Sequence, residues 1–440
     1  MTRTDITPPE GLELGGYPHY PRYNKGAHDP LYATCMYLNN DGYEVAIVTL
    51  DLLWISKKHV IAIRKMVEEA CGIPGGQIMI SATHTHSGPW ASGRIDSDDV
   101  EAGIKEPVEY GLDIEKKIAA VIAEAKENAF EASFTVGTAM CGAESGVGGN
   151  RRRPGGPHDP LVSVWAIKDT ADRIRGVMVN YTLHPTFIHE WSEVCTADYP
   201  CYVKLQLEEM IPGAVIGFTQ GCAGNQSSRY YRQGESFDEA ERVGRIIGKA
   251  AYTVFEKAEW VSDLPMKAAS SEMELELRSF GTEEELRAKC AELEAVYKDL
   301  WAKYGTSTNR DEYYLWQNAN LKLLGAEDQL SYILAMKKGD QQRLMDEDAP
   351  VEIQVLKIGE MCIIGMPGEL FVEYGLFLKG MAGFKTVVIH SLANGILPGY
   401  AYTPESLVSG GGYETDNSCL SEEFGIHLTE KALETVRKVK

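Results

Sequence analysis

The chain has no apolar run long enough to cross a bilayer. Its longest apolar stretches are interrupted by Asp51 or Glu369, short of the ~18–20 residues that a spanning helix needs. The opening residues, Met1 to Pro9, contain no apolar leader core, so no export signal is expected. Positive charge is scarce: 43 Lys and Arg against 64 Asp and Glu leave a formal net charge of −21. Nucleic-acid backbones need clustered Lys and Arg, so no nucleic-acid partner is expected, and no standing attraction to anionic lipid. Paired cysteines are missing too. The nine Cys are odd in number and scattered without a CxxC motif, which reads as free thiols in a reducing cytosol rather than a disulfide framework. Cys222 alone stays open to another use, because of its Gly-rich surroundings. No internal repeat and no low-complexity tract is legible. These absences predict a cytoplasmic protein without stable membrane association.

What is present reads as an α/β protein. With 440 residues, 44% of them hydrophobic, the chain can bury a large core. Glu44 to Leu53 is β-branched and apolar, the pattern of a buried strand. Lys57 to Cys71 carries apolar residues at helical spacing, and Gly72 suits the left-handed position after a helix. Gln77 to Ala82 reads as a second strand, completing a β-α-β unit with parallel strands. Residues 115–129 and 199–210 read as helices, and 174–183, 214–218 and 386–392 as strands. Val351 to Ile358 and Met361 to Gly365 read as a hairpin turning at Gly359-Glu360. Residues 282–338 stand apart, rich in Glu, Ala, Leu and Lys at helical period and broken near Gly305 to Asn309. They predict a long αα-hairpin inserted into the α/β body, serving packing, an oligomer contact or a lid. The expected architecture is a mixed, largely parallel central sheet flanked by helices.

Four polar features distant in sequence share a placement at or beyond strand ends, where ligand sites of open α/β sheets gather. His84-Thr-His86 follows one strand, and in extended backbone residues i and i+2 point the same way, so both imidazoles could reach one metal ion. His184 ends another strand, and Pro185 keeps it extended. Glu369 follows the hairpin, where a capping carboxylate at a helix start is the plainer reading. Tyr400 lies just past the last strand. The small-residue loop Gly221-Cys-Ala-Gly-Asn225 could offer N–H groups to an oxyanion or simply turn the chain. Asn150-Arg151-Arg152-Arg153 could clamp an oxyanion, although for Arg152 and Arg153 a solvated or ion-paired loop is preferred. Tyr17, Tyr20, Tyr23, Tyr230 and Tyr231 are candidate stacking surfaces.

With these residues in view, the chain resembles the neutral/alkaline ceramidases. Ser81-Ala-Thr-His84-Thr-His86-Ser-Gly-Pro89 is similar to that family's signature loop. Asp5-Ile-Thr-Pro-Pro, Gly26-Ala-His-Asp-Pro-Leu-Tyr32 and Leu50-Asp-Leu-Leu53 resemble its opening segments, and Asn180-Tyr-Thr-Leu-His184-Pro-Thr186 its second histidine strand. Pro367-Gly-Glu369, Asn394-Gly395 and Gly399-Tyr-Ala-Tyr-Thr-Pro-Glu405 follow in the family's order. The resemblance implies a ceramidase-like catalytic domain over residues 1–440 and a zinc ion on His84, His184, Glu369 and Tyr400. It makes His86 a histidine that supports the metal site or touches substrate, and Arg151 a substrate contact. Two departures stand out. The family's catalytic Ser position falls on Gly224 or Asn225, with Ser227 and Ser228 a few residues late. The chain also stops near the end of the family's catalytic region, without the C-terminal immunoglobulin-like domain. A small polar substrate is therefore expected in place of a membrane sphingolipid.

The implied chemistry is hydrolysis of an N-acyl amide, ester or lactone by metal-activated water. Arg151, Tyr400 and the Gly221–Asn225 loop, including Asn225, would stabilise the oxyanion, and His86 would pass a proton to the leaving group. Two alternatives remain at this point: a metal-dependent isomerase or lyase on a sugar-derived substrate, and a non-catalytic metal-binding protein. A homo-oligomer is compatible with either.

Overall fold

The structure is a computed structural model, and it describes residues 1–17, 21–90, 108–307, 309–339 and 348–440. Tyr20 lies outside these. The strands are β1 (Thr2–Asp5), β2 (Tyr32–Asn40), β3 (Tyr43–Leu50), β4 (Ile78–Ala82), β5 (Ala132–Met140), β6 (Gly149–Asn150), β7 (Leu161–Asp169) and β8 (Ile174–Tyr181). They continue as β9 (Val215–Gln220), β10 (Gln226–Ser227), β11 (Met266–Met273), β12 (Val351–Ile358), β13 (Met361–Gly365), β14 (Glu369–Leu370), β15 (Thr386–His390) and β16 (Tyr400–Ala401). The helices are α1 (Lys57–Cys71), α2 (Val108–Glu127), α3 (Tyr199–Met210), α4 (Phe237–Tyr252), α5 (Glu283–Tyr304), α6 (Arg310–Lys338), α7 (Val372–Met381), α8 (Pro404–Val408), α9 (Tyr413–Asp416) and α10 (Phe424–Arg437).

Three four-stranded sheets, ordered β1-β2-β3-β4, β5-β7-β8-β9 and β11-β12-β13-β15, share one plan. In each, the first two pairings are antiparallel and the last is parallel. A helix joins the parallel strands (α1, α3 and α7 in turn), and another follows the fourth strand (α2, α4 and α10). The molecule therefore contains a threefold topological repeat that the sequence conceals. The inner strands of each sheet are buried and need apolar residues throughout, whereas β1, β5 and β11 at one edge are partly exposed, so no distinctive pattern marks the units.

The packing shows why the strands read as continuous apolar runs. Val45 and Ile47 of β3 join Trp165 and Met178 of the second sheet and Leu356 and Ile363 of the third in one shared interior cluster. The alternate residues Ala46 and Val48 pack instead in the cluster with α1 and α2. Val355, Cys362 and Ile364 likewise pack toward α7 and α10. The expected α/β class, with helices flanking mixed sheets, is present. The pairing is a correction: three mixed sheets replace one largely parallel sheet, because the strands before each β-α-β unit add by antiparallel pairing.

The αα-hairpin forms as expected. Thr282 caps α5 in a capping box with Glu285, and Asn309 caps α6. It connects β11 to β12, the third unit's counterpart of the β1–β2 and β5–β7 connections. Among the described residues no helix is long and apolar enough to cross a membrane.

Helices α3 and α4 approach closely because Gly244 and Gly248 face α3. A Cβ on Gly244 would lie 2.5 Å from the Tyr199 carbonyl oxygen. Gly244→Ala is expected to cost about 1–3 kcal/mol through overpacking, read as a shift of the urea unfolding midpoint. An unchanged midpoint would mean that the helices separate freely.

Candidate metal centre and its cavity

The strand ends of all three units converge. The first unit brings His84 and His86 after β4, the second brings His184 after β8, and the third brings Glu369 on β14 beside Tyr400 on β16. His84 Nε2 lies 3.1 Å from His184 Nε2 and 3.3 Å from His86 Nε2. Glu369 Oε2 lies 3.2 Å from His84 Nε2 and 3.1 Å from His184 Nε2.

The tautomers of two of these imidazoles follow from their other nitrogens. His84 Nδ1 is 2.9 Å from the Leu53 carbonyl oxygen, and His184 Nδ1 is 2.7 Å from that of Ala223. A carbonyl can only accept, so each Nδ1 carries a proton, and in the neutral form of either ring the lone pair is at Nε2. Burial, helped by the nearby Arg151 charge, pushes His184 down to about 4, which keeps it neutral. Two imidazole lone pairs and a buried carboxylate oxygen without a hydrogen-bond partner thus face one another at about van der Waals distance. Such a set repels itself unless a cation sits among its members. The residues fit a divalent metal, and N/O donors of this kind suit zinc among others.

The route by which His84 and His86 come together is a correction. Extended backbone was expected, yet His84 has φ 68°, in the left-handed region that a side-chain-bearing residue rarely occupies. The chain turns after β4, and Thr85 is tied down by its hydroxyl donating to Thr196 O at 2.6 Å. Gly16, at φ 98°, lets the β1–β2 connection close over His86, where a Cβ would lie 2.6 Å from that of His86. Arg22 clips the same region, donating to Gly15 O at 2.8 Å and His86 O at 2.6 Å.

Glu369 is not a helix cap. It lies on β14, paired in parallel register with Tyr400 of β16, and α7 begins three residues later. Partners in register present neighbouring side chains on one face, so the pairing brings Tyr400 beside Glu369. Arg151 donates a hydrogen bond to the Tyr400 side chain and is paired with Glu414, Nε to Oε1 at 2.7 Å. Burial opposes the Arg151 charge, but Glu414, Tyr400 and Glu369 outweigh it and raise its pKa. Its Nη2 is buried without a partner.

Two N–H groups of the Gly221–Asn225 loop, expected as oxyanion donors, are already taken. Gly221 N donates to Tyr181 O and Gly224 N to Leu370 O, both at 2.9 Å. Asn225 is a correction as a catalytic candidate: its Nδ2 donates to Glu373 Oε2 at 2.8 Å, and its Oδ1 accepts from Val372 N at 2.9 Å. Its carbonyl accepts from Arg151 N at 2.8 Å. The loop is a joint, with Ala223 O orienting His184 and Gly224 lying against the strand of Glu369. A Cβ at Gly224 would come within 2.8 Å of Leu370 O, so a serine there would force the two segments apart. Cys222 is buried, and burial pushes its thiol up to about 12, which makes it a core residue.

In front of the centre lies a cavity of about 140 Å³. His86, Arg151 and Tyr400 line it. Tyr17 stands edge-on to His86, ring centroids 5.2 Å apart, and is the one tyrosine of the expected stacking set in this wall. Tyr23 and Tyr230 are exposed, and Tyr231 packs on Gly149. The far wall comes from α6, with Tyr313, Tyr314 and Gln317. Sequence reasoning missed this wall, as well as Tyr413 and Glu414. The run Gly410-Gly411-Gly412 ahead of them was the available signal. Arg152 is ion-paired to Glu414 at 2.8 Å and Arg153 is exposed, as preferred for both.

No family model matches the chain, and no curated protein matches it in sequence. Solved structures do match, among them neutral ceramidase from Pseudomonas aeruginosa and a ceramidase complexed with C2. Each is 18% identical, with a TM-score of 0.72 over 99% of this chain, covering 73% and 74% of their own chains respectively. The chain has the neutral ceramidase fold. The likeness read from His84-Thr-His86, His184, Glu369 and Tyr400 thus extends over nearly the whole chain, and the neutral ceramidase fold accounts for the order in which those segments occur.

Purified protein is expected to hold about one equivalent of divalent metal by elemental analysis, lost in His84→Ala and in His184→Ala. His86→Ala is expected to lose less metal than either, although the His86 imidazole lies within reach of the same ion. No stoichiometric metal after reconstitution with several divalent ions would refute the site.

Proposed function

We propose that the protein is a zinc-dependent hydrolase that cleaves an amide (N-acyl), or a related ester or lactone, of a small polar molecule. The observation that carries this reading is the set of inward-facing lone pairs on His84, His184 and Glu369, beside a cavity lined by His86, Arg151 and Tyr400. A divalent ion held by His84, His184, Glu369 and Tyr400 supplies Lewis acidity toward a carbonyl and toward water. The protein's own residues do the rest. Arg151 turns an unpartnered N–H toward negative charge developing on the carbonyl oxygen. Tyr400, held by Arg151, lies on the same side. His86 moves the proton to the leaving nitrogen or oxygen. The Tyr313 and Gln317 wall limits the room for substrate. The small volume of the cavity supports a compact substrate. The nine unpaired cysteines support a reducing compartment.

Glu369→Gln removes the buried charge and is expected to lower metal content and turnover together, by more than the ~10–100-fold that loss of an outer partner costs. Retention of both would overturn the coordination. Turnover of an N-acyl amide, ester and lactone panel in ¹⁸O-labelled water should place one solvent oxygen in the product. Turnover without that label would replace hydrolysis by isomerisation or elimination.

A further inference from the structure

Arg22 is charged, yet only 3% exposed. Burial lowers its pKa, a sign of what it costs to keep a guanidinium away from water. What it gains there is a set of carbonyl oxygens from three stretches of chain. Nη2 donates to Gly15 O at 2.8 Å and to His86 O at 2.6 Å. Nη1 donates to Ser192 O at 3.1 Å and to His189 O at 3.4 Å. Its Cζ lies 4.9 Å from the centroid of the Tyr17 ring, so that ring is held against the cation as well. One planar group thus joins the β1–β2 connection, the turn after β4 and the connection from β8 to α3.

These three stretches carry side chains into the metal-facing cavity. Tyr17 comes from the first, His86 from the second, and Thr186, His189 and Glu190 from the third. Their rings are contiguous: the Tyr17 centroid lies 5.2 Å from that of His86 and 5.3 Å from that of His189. The Tyr17 hydroxyl donates to Ile188 O at 3.3 Å. Other groups also hold the third stretch. Asp198 accepts from Phe187 N and Ile188 N, both at 2.9 Å, and Arg232 donates to Thr186 O at 3.0 Å. Arg22 adds the link from that stretch to His86. A guanidinium suits this task, because its two Nη groups serve opposite sides from one rigid plane. The ammonium of a lysine is a single point of attachment and cannot span both sides.

Building on the reading of His86 as the proton carrier, we propose that Arg22 is a positioning residue for the reaction. It fixes where His86 stands relative to the reacting bond, and it locks Tyr17 and His189 with His86 into one wall. Arg22 touches neither substrate nor metal in this scheme; it acts through the carbonyl of His86 and the ring of Tyr17.

The test uses Arg22→Lys, which keeps the charge and most of the stem, with Arg22→Met as a second variant. Hydrogen–deuterium exchange of the metal-loaded full chain is expected to rise in three separate segments, 13–17, 84–88 and 186–192, while β3, β8 and β13 stay protected. Metal content should stay at the wild-type value. For whichever amide, ester or lactone the wild type turns over, kcat of Arg22→Lys should fall ~10–100-fold with KM nearly unchanged. Wild-type exchange in the three segments, or wild-type kcat in Arg22→Lys, would overturn the proposal. So would a rise in exchange confined to the neighbours of Arg22, or one spread over all the sheets, since either makes Arg22 a packing residue. Loss of metal along with kcat would overturn it too, by assigning Arg22 to the coordination. Absence of turnover in the wild type would count against the hydrolase reading, and the exchange pattern would still decide whether Arg22 ties the three stretches together.

Discussion

The centre of this protein is an electrostatic conflict among groups of the same sign. Leu53 O and Ala223 O fix the protons of His84 and His184 on Nδ1, which leaves both Nε2 lone pairs turned toward the Glu369 carboxylate. Leaving buried acceptors face to face costs free energy that packing elsewhere must offset, and a metal ion removes the cost. The left-handed backbone at His84 adds strain of order 1–3 kcal/mol at the same place. Both features make sense as a binding site kept ready for its ion.

The threefold plan explains how such distant residues meet. Each unit ends its third and fourth strands at the same end of its parallel pair, and these ends supply His84, His184, Glu369 and Tyr400. The connections between first and second strands supply the walls. The β1–β2 connection gives Tyr17, the β5–β7 connection gives Arg151, and the β11–β12 connection is the helical hairpin with Tyr313. The hairpin is therefore one of three equivalent loops, enlarged into helices.

Rigidity at the centre comes from hydrogen bonds between units. Ala223 O holds His184, Gly224 N holds the strand of Glu369, and Asn225 joins Arg151 to the start of α7. That loop occupies the place to which the sequence resemblance assigned a catalytic Ser. Here the space is taken by close backbone approach, and Ser227 reaches the cavity a few residues later.

Much of this was legible in the sequence. Buried strands announce themselves as apolar runs, as in Glu44 to Leu53, and α1, α3, the αα-hairpin and the Gly359 turn follow from periodicity and capping residues. His84, His184, Glu369 and Tyr400 were singled out through a resemblance, and the fold brings them to one place. What the sequence could not carry was pairing and direction. An apolar strand buried on both faces says nothing about its neighbours, so three sheets looked like one and the repeat stayed hidden. Side-chain targets are equally silent in sequence: only the fold turns Asn225 toward Glu373, bends His84 out of the strand and swings α6 across the cavity. The sequence determined which segments are buried and which residue types carry the chemistry. The tertiary structure decided which of them meet, because contacts between distant strand ends depend on how the sheets pack together.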